Sequence, residues 1–94
     1  MDRKHEVLVV DDEQHILDVV IYVLESNGFK VRSALDGDSA LEKFRKNQPG
    51  LVILDLNLPG ISGLDLFRHM RHERPVVPII MHTSRGEEID RVLG

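Results

Sequence analysis

Four apolar residues, Leu51-Val52-Ile53-Leu54, run without interruption into the carboxylate of Asp55, and a Pro59-Gly60 turn signal follows. A run with no polar alternation reads as a strand covered on both faces, as in a parallel sheet sandwiched by helices. The Pro-Gly pair stops the strand and turns the chain. Asp55 therefore falls at the carboxyl end of a central strand, the edge at which open α/β sheets bind ligands. Taken alone, a strand-end Asp reads better as the start of a turn. Val7-Leu8-Val9-Val10 changes that balance, because it too is apolar throughout and ends in acid, Asp11-Asp12-Glu13.

Carboxylates delivered by two buried strands to one edge repel and raise one another's pKa values. A hard divalent cation relieves the repulsion, and Mg²⁺ accepts one or two carboxylates while keeping several waters. The pattern thus predicts an acidic Mg²⁺ pocket, with Asp55 as a nucleophile toward a phosphoryl group.

The chain of 94 residues makes at most one domain, short for a sheet covered on both faces, yet 41% hydrophobic residues supply a core. Its formal net charge of −4 argues against nucleic acid or an anionic membrane as a direct partner. The absence of cysteine excludes disulfides and thiolate metal sites and fits a cytoplasmic protein. The opening residues are polar, with no signal-peptide pattern, and no apolar run approaches membrane-spanning length.

In order, the chain alternates strand and helix. Between Glu13 and Asn27 an apolar stripe of Ile16, Leu17, Val20, Ile21, Val23 and Leu24 predicts a helix, with Asp12 as N-cap and Gly28 just past the end. Phe29 to Leu35 alternates apolar with charged residues, which suits an edge strand. Asp36-Gly37-Asp38 leads into a helix bearing Ala40, Leu41 and Phe44 and ending at Asn47-Gln48-Pro49-Gly50, before the central strand. Ser62 caps a third helix, with Asp65 as an acidic capping-box partner and Leu64, Phe67 and Met70 as its apolar face. Pro75 to Met81 predicts a fourth strand, ending at His82-Thr83-Ser84, and a last helix begins near Glu87 with Ile89, Val92 and Leu93 apolar. His69 and His72, three apart on a helix, read as solvated residues on a polar face before a shared metal site, and His82 reads as a surface or packing residue, with tuning of the site as its alternative. Gly60 and Gly63 read as serving the loop's backbone, since no phosphate-loop pattern surrounds them. The result is a doubly wound α/β sheet with flavodoxin-like strand order 2-1-3-4 and the acids at its switch point.

Leu8-Val9-Val10-Asp11-Asp12-Glu13, Ile53-Leu54-Asp55-Leu56-Asn57-Leu58-Pro59-Gly60-Ile61-Ser62-Gly63 and Pro78-Ile79-Ile80-Met81-His82-Thr83-Ser84 together resemble the receiver domain of bacterial two-component response regulators. Residues 83–94 are most similar to the winged-helix transcription-regulator subclass. The resemblance implies that Asp55 accepts a phosphoryl group from a sensor histidine kinase. It also implies that Asp12 and Asp55 ligate Mg²⁺, that Asp11 orients the ion through water and that the Asn57 carbonyl completes the protein ligands. Thr83 becomes the switch hydroxyl, whose hydrogen bond exists only in the phosphorylated state.

Receivers continue through a fifth strand, carrying a lysine and an aromatic switch residue, and a fifth helix. Residues 1–94 read as the receiver's N-terminal portion, ending within the fourth helix and lacking both. The fourth strand would then present an open edge, which predicts a homodimer or swapped assembly. The leading function is a non-enzymatic phosphoacceptor module. A non-phosphorylatable assembly fragment is the alternative, and an Asp55-dependent phosphohydrolase ranks third because Asn57 is no general acid–base group.

Overall fold

The computed structural model describes residues 5–82 and the main chain of residues 91 and 92. Strands β1 (Glu6–Val10), β2 (Lys30–Ala34), β3 (Leu51–Asp55) and β4 (Ile79–His82) alternate with helices α1 (Gln14–Ser26), α2 (Gly37–Asn47) and α3 (Gly63–Glu73). The four strands are parallel in the order β2-β1-β3-β4, as the alternation of elements requires.

Burial explains the unbroken apolar runs. Every residue of β1 is buried, because alternate side chains enter two different cores. Leu8, Val10, Val52 and Leu54 pack with Ala40 and Phe44 of α2 and Leu66 and Met70 of α3. Val7 and Val9 pack on the other face with Leu17 of α1, joined by Val31, Leu51 and Ile53. The sheet is thus covered by α1 on one side and by α2 and α3 on the other. At the sheet's margin β2 alternates in burial, as its mixed composition predicts.

Local chemistry fixes the helix ends. The Asp36 side chain accepts the Ser39 amide at 2.8 Å, and Ser62 Oγ accepts the Asp65 amide at 3.1 Å, the second as the sequence predicts. Gly28 has φ +89° directly after the α1 C-cap, Asn27.

Five details depart from expectation. Leu64, expected on the apolar face of α3, is exposed, and Leu66 is buried in its place. The N-cap position of α1 is Glu13, not Asp12, and no side chain caps it there; the Glu13 amide is instead taken by Asp11. The α1 stripe is narrower than its composition, with Leu17 buried and Ile16 and Val23 turned to solvent, because six apolar residues span more arc than one sheet face covers. β4 begins after Pro78, which lacks an amide for the ladder, although its carbonyl still accepts the Val52 amide at 3.0 Å. Finally, residues 91 and 92, expected within a helix, form a short strand β5 (Arg91–Val92) antiparallel to β4, pairing Ile80 with Val92 and Met81 with Arg91. An open strand edge offers backbone groups that an extended segment satisfies directly. The rest of that expected helix lies outside the described residues.

Candidate metal and phosphoacceptor site

Asp11 directly follows β1, and Asp55 ends β3. These strands are hydrogen-bonded neighbours, paired up to Val10 and Leu54. Parallel register therefore brings both carboxylates to one edge, and Asp12 joins them from the turn. Asp11, Asp12 and Asp55 each offer a carboxylate oxygen, all within 4.8 Å of one another, with Asp11 and Asp55 buried and Asp12 exposed.

The two buried acids are held in the same way. Asp11 Oδ1 accepts the Glu13 amide at 2.9 Å, and Asp55 Oδ1 accepts the Asn57 amide at 3.0 Å. Each is an acid bonding the main chain two residues on, a local turn that Asp favours. Each also leaves one oxygen over. Asp11 Oδ2 and Asp55 Oδ2 are sealed from solvent with no hydrogen-bond partner among the described residues. Buried acceptors left unmatched are costly and point to a missing donor or ion. Oxygen donors with concentrated negative charge suit a hard cation such as Mg²⁺, so the residues fit the group that the sequence predicts.

Burial pushes the Asp11 carboxyl above its ordinary value, and the charges of Asp55 and Asp12 push it further; the Glu13 amide and His82 oppose the rise. His82, read from sequence as a surface or packing residue, is the member that reading undervalued. Its Nε2 lies 3.8 Å from Asp11 Oδ2, because β3 and β4 pair Asp55 with His82. Only the strand register reveals this proximity, and a single sequence does not print it. His69 and His72 are exposed, as predicted. Asn57 is exposed in the loop after β3, and Thr83 lies outside the described residues.

A profile of the response regulator receiver domain matches residues 7–93. The chain belongs to that family. This receiver is 40% identical over 94 residues to the alkaline phosphatase synthesis transcriptional regulatory protein PhoP of Bacillus subtilis, covering 100% of this chain and 38% of PhoP. It is 44% identical over 90 residues to the phosphate regulon transcriptional regulatory protein PhoB of Escherichia coli, covering 94% of this chain and 39% of PhoB. The receiver thus spans about two-fifths of the length of these relatives. Among solved structures it resembles the response regulator TrrA of Thermotoga maritima, crystallised in complex with Mg(2+)-BeF. That match has a TM-score of 0.81 and 37% identity over 86% of this chain and 70% of TrrA. TrrA has also been crystallised with the histidine kinase ThkA.

Proposed function

We propose that this receiver is the phosphoacceptor module of a two-component response regulator, with Asp55 taking a phosphoryl group from a sensor histidine kinase. The observation that carries the reading is the pair of sealed, unmatched oxygens on Asp11 and Asp55. The Asp55 carboxylate is the nucleophile, held in place by the Asn57 amide bonded to its Oδ1. Its oxygen forms a bond to phosphorus as the bond from phosphorus to the donor breaks. Asp12, Asp55 and the Asn57 carbonyl would hold Mg²⁺, and Asp11 would orient it. When bound, Mg²⁺ neutralises charge on the transferring oxygens. Thr83 supplies the switch hydroxyl. The module is altered by one covalent event and is not a turnover enzyme, as is general for receivers of transcription-regulating proteins.

A cytoplasmic location agrees with this role, and no helix among the described residues is long and apolar enough to cross a membrane. Because β5 of the same chain already lies against Ile80 and Met81 on the outer edge of β4, self-association takes the form of a swap in which a second copy's strand replaces it; light scattering after size exclusion tests it, and a monomer overturns it. Kinship with PhoP and PhoB supports transcription control as the output, and the net negative charge of this segment favours DNA contact elsewhere. Incubation with acetyl phosphate and Mg²⁺ followed by intact mass tests the central reading. One phosphoryl adduct, absent in Asp55→Asn, is expected; an adduct that survives in Asp55→Asn, or none at all, overturns it.

A further inference from the structure

Gly63 opens α3 and is buried. A Cβ added to it would lie 2.4 Å from Leu56 Cα and 2.5 Å from the Asp55 carbonyl oxygen. Both opposing atoms are main chain, so no side-chain rotation relieves the overlap. Interiors packed to crystal density have no slack to absorb it. The same stretch is tied on two sides: the Leu56 amide donates to the His82 carbonyl at 2.8 Å, and the Gly63 amide donates to the Leu56 carbonyl at 3.1 Å. The peptide following Asp55 is thus clamped between β4 and the first turn of α3. The Asn57 amide, one residue further on, holds the Asp55 carboxylate. Gly28 and Gly60 differ in kind: both have positive φ, and nothing lies within 4 Å of a Cβ added to either. Their requirement is conformational, whereas that of Gly63 is close approach.

We propose that Gly63 is a positioning residue for Asp55. By letting the backbone of α3 touch that of Asp55 and Leu56, it sets where the Asp55 carboxylate stands in the acidic hollow and thereby the hollow's affinity for a divalent cation. The inference rests on the cation reading given above. Displacements of about 1 Å in a positioned site cost on the order of 100-fold in function. Coupling is also reciprocal: if the start of α3 governs the cation site, the cation must steady the start of α3.

The test is a Mg²⁺ titration of the whole chain followed by amide NMR, comparing the unmutated protein with Gly63→Ala and with Gly28→Ala as a strained control remote from the hollow. Gly63→Ala is expected to weaken Mg²⁺ binding at least ~10-fold and to shift the Asn57 amide signal in the folded protein. Gly28→Ala should do neither, although it lowers stability. In the unmutated chain, Mg²⁺ should slow hydrogen exchange at the Gly63 amide, a measurement that stands even if Gly63→Ala does not fold. Wild-type affinity with an unmoved Asn57 signal in Gly63→Ala overturns the proposal, as does Gly63 exchange indifferent to Mg²⁺. Failure of the unmutated chain to bind Mg²⁺ overturns the cation reading instead, and the Asn57 signal alone then decides the role of Gly63.

Discussion

Asp11 and Asp55 stand at the ends of adjacent parallel strands with one buried oxygen apiece that no described group satisfies. In the cation-free chain this pair opposes folding. Two unit charges about 4 Å apart repel by about 1 kcal/mol in bulk water and about 4 kcal/mol near a protein surface. Asp11→Asn keeps the shape and removes one charge. Its urea midpoint in EDTA should therefore exceed that of the unmutated chain, by a stabilisation within that range. Saturating Mg²⁺ should reverse the ranking, since a ligand at 100 times its Kd stabilises by about 2.7 kcal/mol. A less stable Asp11→Asn in EDTA would show that the acids do not repel.

The raised carboxyl of Asp11 gives a pH dependence opposite in sign to ordinary acid denaturation. Its folded-state pKa lies above the unfolded value of 3.8, so over the interval between them the folded chain binds more protons than the unfolded one. The stability this group contributes is fully present below the unfolded value and is lost as pH rises through the folded one. Without Mg²⁺, the advantage of Asp11→Asn over the unmutated chain should be largest at neutral pH and shrink as the solution is acidified. Paired urea titrations across that interval check it. An advantage that grows on acidification would mean that the Glu13 amide outweighs burial.

The sheet was legible because its signal is coarse. Apolar runs in β1 and β3, and Asp36 and Ser62 at helix starts, each depend on neighbours in sequence, and local chemistry decides them. The meeting of Asp11 with Asp55 was legible for a related reason, since two buried parallel strands ending in acid leave few arrangements. His82 was not, because its closeness to Asp11 depends on the register of β4 against β3, which no local pattern encodes. Gly63 was read as a loop glycine, and its contact with the Asp55 carbonyl depends on how far α3 approaches the sheet. The strand at Arg91–Val92 reflects a tertiary choice, an open edge outcompeting helical periodicity.

Ser62 caps the same first turn of α3 that Gly63 opens, through a 3.1 Å bond from the Asp65 amide. Ser62→Ala leaves that amide without its partner, at a typical cost of about 1 kcal/mol. No atom is added against Asp55, so the Mg²⁺ affinity of the folded protein should stay within about twofold of the unmutated value, a change of about 0.4 kcal/mol. Denaturant unfolding and Mg²⁺ titration on one preparation check both halves. A large affinity loss would place control of Asp55 in the cap, not in the close contact at Gly63.

Phe44 separates fold from function most cleanly. It is fully buried on the face covered by α2 and α3, with the Arg74 guanidinium 5.5 Å from its ring centre. It lies one turn from the C-terminal end of α2, where the chain re-enters the sheet beside the start of β1 through a bond from the Gly50 amide to the Glu6 carbonyl. That end is opposite the acids. Phe44→Ala removes a ring and leaves a cavity, which costs about 3–5 kcal/mol, against a total of about 5–15 kcal/mol for a typical domain. The variant should thus lose a large part of its stability while its folded fraction binds Mg²⁺ as before, because nothing between Phe44 and Asp55 has to move if the sheet stays flat on its remaining core. Calorimetric unfolding with Mg²⁺ titration well below the transition measures both. A parallel fall in affinity and stability would mean that the hollow depends on packing across the whole sheet, and that the strand ends alone do not hold it.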